Sequence, residues 1–449
     1  MCARARTSSS RSSVRGRGSR NTSWHSRRSV MKKNQKSIVI RGGTLLRGVN
    51  LEPVRGQALL IEGGRITKIT AERSLGLRDD WMVIDAEGQT VLPGLIDAHL
   101  HWFGSRSPDP MMWVMEQKEL NCVRAVADAR RLLDYGFTTA RDMGSRNGVA
   151  IKRAVDEGTI LGPKTVPAHM GLSMTCGHGD VHNVPSDWLC GCSAMAFVVD
   201  GVDAVRKAVR QSVRDGADVV KIWTTGGTMS ERDSLEDQHF SDEEIKTAVG
   251  EAHALRRKIA SHAEGLLGAL ASIRAGVDSI EHGFDLNDEC CDLMKQQGTF
   301  LVPTLALLDR VVNTPGVPEY AKIKARPMFQ AHLNSFKLAV EMGVRIGAGC
   351  DAFSEPMTAF GPYNVRELEL MEEAGLTSLQ VLQAATSSNA QLLGLGAEIG
   401  SLDEGKAADV IIVRGDLSKS LADLTSHSNL TTIIQDGMII PRLTPGLPA

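Results

Sequence analysis

Six residues of kinds that bind or bridge metal ions are spread along the chain, each at the end of an apolar, strand-like segment. They are His99, His101, Lys221, His262, His282 and Asp351. Borderline divalent cations such as zinc take imidazole and carboxylate ligands. Two such cations close together activate water near neutral pH. If the six residues meet in space, the chemistry they predict is metal-assisted hydrolysis.

Each of the six residues has an ordinary structural explanation when it is considered alone. His99 and His101 point to one face of a strand, yet such pairs are more often simple polar residues than ligands. Lys221 lies in the apolar segment VVKIW, where burying its charge is costly unless it reaches the rim or pairs with an acid. The prediction of a metal site therefore depends on where the fold places these residues.

The middle of the chain alternates apolar strand-like segments with amphipathic helices. Eight such segments lie at residues 90–98, 138–142, 163–168, 218–223, 258–262, 279–282, 300–303 and 344–351. Helix signals separate them, including the capping box Ser241-x-x-Glu244 and glycines at expected helix ends, such as Gly216 and Gly276. Eight repeats over about 260 residues are typical of a (β/α)8 barrel, the TIM barrel.

Both ends of the chain are rich in short predicted strands. They lie at residues 37–41, 57–62 and 66–70 near the start and at 408–414 and 431–435 near the end. Gly63-Gly64 and Asp436-Gly437 supply hairpin turns. We therefore predict an α/β protein whose (β/α)8 barrel spans residues 91–394, with a small β-sandwich domain built from residues 36–90 and 395–449.

The predicted barrel brings the six residues together. Active sites of TIM barrels form at the carboxyl ends of the strands. All six residues lie at such ends, on the first, fourth, fifth, sixth and eighth predicted strands. An ammonium group has no lone pair to offer a metal, but a lysine that has added carbon dioxide becomes a carbamate, an anion that can bridge two cations. The joint placement favours a binuclear metal site.

Longer motifs resemble those of the amidohydrolase superfamily over roughly residues 36–445. VLPGLIDAHLH at 91–101 is similar to its opening motif, and IGSLDEGKAAD at 399–409 is similar to its closing return to the β-domain. GHGD at 177–180, KIWTTGG at 221–227 and IEHG at 280–283 resemble its branch of metal-dependent dipeptidases, which includes Xaa-Pro dipeptidases and ochratoxinase. The resemblance implies a homo-oligomer that acts on a small amide or dipeptide.

The resemblance also implies a role for each of the six residues. His99, His101 and Asp351 would hold the more buried metal, and His262 and His282 the more exposed one. Lys221, as a carbamate, would bridge the two metals together with a hydroxide that attacks the scissile carbonyl. Asp351 would take the proton of the attacking group and pass it to the leaving nitrogen. Zinc is the expected metal, although manganese and cobalt accept the same ligands.

Four further residues are candidates for catalysis or substrate contact. His178 lies in the GHGD loop, where it can polarise a carbonyl or meet a carboxylate, unless it only ties the loop to its own backbone. His169 ends the third predicted strand, and Thr225 follows Lys221 in a glycine-rich loop. Arg141 is a candidate carboxylate clamp, although pairing with Asp142 or Glu281 explains it equally well.

These observations predict a metal-dependent hydrolase that cleaves an amide bond next to a free carboxylate. Dipeptides, N-acyl amino acids and ochratoxin-like amides of phenylalanine are the expected substrates. The alternative is a deaminase or imidazolonepropionase of the same superfamily, which uses one metal and needs no lysine at the end of the fourth strand. Lys221 discriminates between the two, and retention of all six residues argues against a non-catalytic scaffold.

Composition restricts the location and partners of the chain. The formal net charge is −2, and residues 1–30 hold eight arginines without any acid, so the remainder is acidic and nucleic acid is not an expected partner. No segment predicts a membrane span, and the eight scattered cysteines suit a reducing compartment, so we expect a cytoplasmic protein. The composition of residues 1–35 predicts a disordered leader. An over-extended reading frame or an expression leader is favoured over a transit peptide as the origin of this segment.

Overall fold

The computed structural model describes residues 36–189 and 194–443. The predicted leader, residues 1–35, lies outside the described residues. Within them, strands from the two ends of the chain pair directly. Ile411 is opposite Leu92 in an antiparallel pair that joins strand Val410–Arg414 to strand Gln89–Pro93. The two chain ends therefore contribute to one sheet.

That sheet and a second one contain the strands from the chain ends. The first has six strands, in the order Met438–Ile439, Leu430–Gln435, Val410–Arg414, Gln89–Pro93, Thr44–Arg47 and Glu52–Val54. The second has four, in the order Arg65–Ala71, Gln57–Glu62, Ile38–Arg41 and Met82–Asp85. One apolar cluster includes Ile40 and Ile61 from the second sheet and Leu45, Val410 and Ile434 from the first. Buried apolar side chains therefore join the two sheets.

Parallel strands form two further sheets in the middle of the chain. The first has four strands, in the order Lys164–Pro167, Phe137–Asp142, Leu95–Ser105 and Ala352–Ser354. The second has seven, in the order Ala196–Val198, Gly171–Ser173, Val219–Trp223, Lys258–Ala263, Ser279–His282, Phe300–Val302 and Arg345–Ile346. The neighbouring strands of each sheet run parallel, so their carboxyl ends lie along one edge.

Backbone hydrogen bonds connect the two parallel sheets on both sides. On one side the amide of Asp218 donates to the carbonyl of Pro167 at 2.8 Å. On the other, the amide of Ala98 donates to the carbonyl of Ala348 at 2.9 Å. Next to it, where strand Ala352–Ser354 begins, the amide of Asp351 donates to the carbonyl of His99 at 2.7 Å. The last of these bonds fixes the backbone of two candidate metal ligands against each other.

The helices lie between the strands and pack on the sheets. They span Pro110–Met115, Lys118–Asp134, Gly148–Glu157, Val202–Asp215, Asp242–Ala254, Leu266–Ala275, Asp288–Gln297, Ala306–Asn313, Glu319–Ala325, Met328–Glu341, Pro362–Glu373, Ser378–Gln383, Asn389–Leu392 and Ala422–Thr425. The predicted capping box forms, since Ser241 accepts from the amide of Glu244 and the Glu244 side chain accepts from the amide of Ser241. Among the described residues, no helix has the length and apolar character needed to cross a bilayer.

The predicted strands differ from the observed ones in several places. Segment 90–98 is two strands, Gln89–Pro93 in the six-stranded sheet and Leu95–Ser105 in a parallel sheet, separated at Gly94. Segment 344–351 is regular only at Arg345–Ile346, because the Gly-Ala-Gly run after it leaves the strand. Two short strands, Gly171–Ser173 and Ala196–Val198, were not predicted, since neither is long enough to show a periodic pattern.

Candidate metal centre and active site

All six predicted metal-binding residues line one cavity at the carboxyl edge of the parallel strands. The cavity contains about 620 Å³ of space between atoms, including its open mouth. Its polar lining comprises His99, His101, His178, Asp180, His182, Asn183, Lys221, Thr228, Ser230, His262, Glu264, His282 and Asp351. The structure therefore brings together residues up to 252 positions apart, from His99 to Asp351.

The two histidines of the first parallel strand each use one ring nitrogen to fix the ring. His101 Nδ1 lies 2.7 Å from the carbonyl of Gly144, and His99 Nδ1 lies 2.8 Å from a carboxylate oxygen of Glu281. A carbonyl and a carboxylate can only accept, so both Nδ1 atoms carry the proton. The Nε2 atoms are left with free lone pairs, as metal ligands require.

Both Nε2 atoms converge on the carboxylate of Asp351. Asp351 Oδ1 lies 3.2 Å from His101 Nε2 and 3.5 Å from His99 Nε2. Although this oxygen is buried, it forms no hydrogen bond with the described residues. An unsatisfied buried carboxylate oxygen beside two lone pairs is costly unless a cation sits between them. The three donors therefore fit a divalent metal ion.

His262 and His282 extend the same ligand set on the neighbouring strands. His262 Nε2 lies 3.4 Å from the carbonyl of Gly226, which leaves Nδ1 free. His282 Nδ1 lies 2.8 Å from the hydroxyl of Thr304, and the two imidazole rings are 4.6 Å apart between centroids. One ligand atom from each of His99, His282 and Asp351 lies within 4.8 Å of the other two. The arrangement gives four imidazoles and a carboxylate in one place.

Backbone geometry at the site is strained in the way that functional sites often are. Asp351 and His282 have φ angles of 59° and 73°, in the left-handed region. For residues other than glycine, this conformation costs about 1–2 kcal/mol. The surrounding contacts hold these two residues there, which aims both side chains into the cavity.

Lys221 lies on strand Val219–Trp223 and is almost completely buried in the cavity lining, with 1% of its surface exposed. Burial lowers the pKa of its amine to about 8, although the nearby carboxylates of Glu281 and Asp351 raise it. A fraction of the amine is therefore neutral at physiological pH. A neutral amine has the lone pair that addition to carbon dioxide requires.

Arg141 lies beneath the cavity instead of lining it, which corrects its expected role as a carboxylate clamp. Its guanidinium donates to Glu281 at 2.7 Å, to the Ser279 hydroxyl at 3.1 Å and to the Ala98 carbonyl at 2.5 Å. The side chain is 2% exposed. Glu281 thus links Arg141 to His99, and the arginine supports a candidate ligand rather than the substrate.

Two other predicted substrate contacts also lie outside the cavity lining. Thr225 is fully buried, where its hydroxyl donates to the Gly226 carbonyl at 2.7 Å and accepts from the Glu264 amide at 2.9 Å. His169 packs 6.3 Å from the ring of Phe197. The loop after Lys221 instead presents Thr228, whose buried hydroxyl has no hydrogen-bond partner among the described residues. The fourth candidate, His178, does line the cavity and stacks on His262.

The remaining wall of the cavity is apolar and largely aromatic. It includes Phe103, Trp113, Met195, Trp223, Leu307 and Phe353. Trp113 lies on helix Pro110–Met115, its indole donates to the Ser107 carbonyl at 3.0 Å, and its ring centroid lies 5.3 Å from those of Phe103 and Phe353. Such a wall suits a large apolar side chain or acyl group on the substrate.

Burial of the imidazoles makes the metal-free protein sensitive to acid. It lowers the pKa of His99 and His332 to about 4 and that of His178 to about 3, and it holds His262 and His282 well below their usual range. The unfolded chain therefore binds more protons on these histidines between pH 6.5 and pH 4, which favours unfolding in acid. Burial raises the pKa of Glu367 to about 8, that of Asp97 and Asp142 to about 6, and that of Glu264 well above its usual value, so these carboxyls oppose the effect.

We expect the free energy of unfolding of the chelator-treated protein to fall from pH 6.5 to pH 5, where protonation of the unfolded histidines outweighs that of the buried carboxyls. Urea unfolding curves at several pH values measure this change, and metal must be absent because bound metal keeps the imidazoles deprotonated. A free energy of unfolding that stays constant or rises over that interval contradicts the assignment of buried, neutral histidines.

Comparisons with known proteins agree with this geometry. The profile of the amidohydrolase family matches residues 90–440. Ochratoxinase of Aspergillus niger is 31% identical over 395 residues, which cover 84% of this chain and 81% of that protein. A solved Xaa-Pro dipeptidase with methionine in its active site is 30% identical, with a TM-score of 0.81, and the match covers 90% of this chain and 100% of that one.

A prolidase solved in complex with N-methylphosphonate-L-proline is 28% identical, with a TM-score of 0.84 over 91% of this chain and 100% of that chain. The family profile spans most of the chain, and the ochratoxinase match spans most of both proteins. These matches and the cavity described above lead to one conclusion: the chain belongs to the amidohydrolase family and is a hydrolase of amide bonds.

Proposed function

We propose that the protein is a binuclear metal-dependent hydrolase that cleaves an amide bond next to a free carboxylate in a small molecule. The observation that carries this proposal is the convergence of six residues on one cavity, with a lone pair of each histidine left free. Dipeptides, N-acyl amino acids and phenylalanine amides are the candidate substrates, since the similar proteins are an ochratoxinase, a Xaa-Pro dipeptidase and a prolidase.

His99, His101 and Asp351 would hold one divalent ion, and His262 and His282 the other, with a carbamate of Lys221 between them. Zinc is the expected metal. When bound, two divalent ions lower the pKa of water held between them and polarise a carbonyl oxygen. Glu281, Gly144, Gly226 and Thr304 would keep the four imidazoles in the tautomers that bind metal.

Residues of the chain would then transfer the proton and bind the substrate. Asp351 would accept the proton of the attacking water on the carboxylate oxygen that does not bind the metal and return it to the leaving nitrogen, which departs poorly as an anion. The aromatic wall around Phe103 and Phe353 would hold the apolar part of the substrate. Thr228 offers its free hydroxyl to the carboxylate, because Arg141 is committed to Glu281.

We also propose that the main strands of the two parallel sheets close into one (β/α)8 barrel and that the sheets from the chain ends form one β-sandwich domain. The hydrogen bonds on both sides of the parallel sheets support closure. The shared cluster around Ile40 and Val410 supports the second domain. Closure would give the cavity a rigid floor made of strand ends.

The experiment that tests the proposed function combines metal analysis with a substrate screen. We expect two divalent ions per chain and zinc-dependent cleavage of dipeptides or N-acyl amino acids, lost on chelation and restored by zinc. One ion per chain, together with deamination of a heterocyclic amine, would favour the mononuclear alternative. Cleavage of esters or lactones with every amide left intact would contradict the proposed substrate class.

A further inference from the structure

One wall of the cavity is built from hydrogen-bond acceptors. Glu264 follows strand Lys258–Ala263 and is 1% exposed, yet it lines the cavity. Its Oε2 accepts from the amide of Thr228 at 3.0 Å. Its Oε1 lies 3.9 Å from His262 Nε2, which is too far for a hydrogen bond. One oxygen of a buried carboxylate is therefore left for a ligand.

The imidazole of His178 lies beside this carboxylate in a fixed position. Its ring stacks on His262, with 4.4 Å between centroids and 15° between planes. On the other side it covers Gly227, where an added Cβ would lie 2.3 Å from the ring. His178 Nδ1 lies 2.7 Å from the hydroxyl of Ser230. The stacking on His262, the close contact with Gly227 and the hydrogen bond to Ser230 together hold the ring in one orientation.

The partners of Ser230 determine which nitrogen of His178 carries the proton. The Ser230 hydroxyl also contacts the carboxylate of Asp233 and, at 3.2 Å, the carbonyl of Gly227. Both groups can only accept, so the hydroxyl proton goes to one of them and the Ser230 oxygen accepts from His178 Nδ1–H. Lys324 Nζ donates to Asp233 at 2.9 Å, which keeps Asp233 a carboxylate. His178 Nε2 therefore presents a lone pair.

The charges around the cavity also favour a positively charged ligand. Among the described residues that line it, the ionisable carboxyls besides that of Asp351 are those of Asp180 and Glu264. Burial raises the pKa of Glu264 well above its usual range, and a bound cation is the kind of ligand that would keep this carboxyl ionised. A neutral imidazole with a lone pair at Nε2 cannot polarise a carbonyl, which was the role expected of His178 from its loop. A group that supplies protons and positive charge matches this wall better.

A metal ion is a poor occupant for the wall. One ligand atom from each of His178, His262 and Glu264 lies within 4.8 Å of the others. However, imidazole lone pairs lie in the ring plane, and two stacked rings cannot direct theirs at one ion. An ammonium with hydrogen bonds of 2.9 Å in tetrahedral directions holds its acceptors roughly 4.7 Å apart, which is compatible with this spacing.

We propose that Glu264 and His178 Nε2 form a subsite for a protonated amine on the substrate, such as the free α-ammonium of a dipeptide. The proposal rests on the proposed amide hydrolysis and narrows its substrate class. Ser230, Asp233 and Lys324 are positioning residues, because they fix His178 as an acceptor. The enzyme then prefers dipeptides to otherwise identical substrates that lack the amine.

The test compares L-alanyl-L-phenylalanine with propionyl-L-phenylalanine, which differ only by the amine. With zinc-loaded wild-type enzyme we expect kcat/KM to be about 10- to 100-fold higher for the dipeptide, as a buried charge-assisted hydrogen bond implies. Glu264→Gln is expected to lower both values and to bring their ratio close to one. Equal values in the wild type, or an unchanged ratio in Glu264→Gln, would overturn the proposal.

A matched control is Glu367→Gln. Glu367 is equally buried, accepts from the amides of Leu305 and Ala306, and does not line the cavity. We expect this variant to keep the wild-type substrate ratio, and a collapsed ratio would contradict the subsite. Loss of a metal ion from Glu264→Gln would assign Glu264 to the metal and also overturn it.

The proposed function can fail separately from the subsite. Wild-type enzyme that cleaves neither compound contradicts amide hydrolysis of this substrate class. Calorimetric binding of the two compounds then still tests the subsite, because the dipeptide must bind more tightly by the same fold-change. Equal binding under those conditions would overturn the subsite as well.

Discussion

Asp351→Asn is expected to lower kcat by about 10²- to 10⁴-fold while much of the metal stays bound, since this is the usual contribution of a positioned proton acceptor. The amide keeps one oxygen that can bind a cation, but it cannot accept a proton from attacking water. Asp351 has the position for both roles, with Oδ1 buried, unpaired and 3.2 Å from His101 Nε2. The pKa of its carboxyl is held below the usual range, despite burial, by the adjacent histidines and Lys221, so it is ionised at neutral pH.

The measurement is steady-state kinetics at saturating zinc, with the metal content of the same samples determined in parallel. Asp180→Asn is a suitable control, because Asp180 lines the same cavity and its carboxylate accepts from the Cys176 amide at 3.0 Å. We expect this control to lose less than about tenfold in kcat, as a group outside the reacting atoms would. Asp351→Asn enzyme that keeps both metals and near wild-type kcat would remove Asp351 from proton transfer.

The convergence of the six residues on one cavity could be predicted because it depends on local rules. His99 and His101 share a face because side chains alternate along a strand, and their partners sit where parallel strands end. These rules hold for each strand separately and need no knowledge of loop structure. The sequence predicted strands at both chain ends, but the strand that pairs with Val410–Arg414 is Gln89–Pro93, most of which the pattern assigned to the first strand of the barrel.

The depth of a side chain inside the sheet could not be predicted in the same way. Arg141 lies on strand Phe137–Asp142, but whether it reaches the cavity depends on the stagger between neighbouring strands. The structure places it level with Ser279 and Glu281, beneath the ligands. The residue types allowed Arg141 to pair with either Asp142 or Glu281, and only the three-dimensional register of the strands selects Glu281.

The contacts of the loops were the least predictable part of the site. Thr225 and Thr228 are three residues apart in one loop, yet only Thr228 lines the cavity. The partners that fix His178 lie far along the chain. Ser230 is 52 residues after His178, and Lys324 is 91 residues after Asp233, the carboxylate that it contacts. No periodic pattern connects such positions, because loop conformation depends on long-range packing.

Lys221→Met is expected to abolish detectable turnover and to reduce the metal content from two ions to one or none. The bridge that we propose is an anion, and methionine fills the buried space without offering one. Lys221→Arg keeps a positive charge at this position but cannot form the carbamate, because its guanidinium stays protonated and does not add carbon dioxide. Both variants should therefore lose at least about 100-fold in kcat/KM, as removal of a metal-bridging ligand implies.

The carbamate itself can be observed without activity. Metal-free enzyme reloaded with zinc in buffer depleted of carbon dioxide should stay inactive until bicarbonate is added, and ¹³C-bicarbonate should give one carbonyl NMR signal that both Lys221 variants lack. Acetate or propionate should partly restore metal binding to Lys221→Ala, because a small carboxylate can occupy the space of the carbamate. Wild-type enzyme that binds one ion, with no such signal and no need for bicarbonate, would instead place Lys221 in a mononuclear site, where its buried amine, with a pKa of about 8, serves as a hydrogen-bond donor.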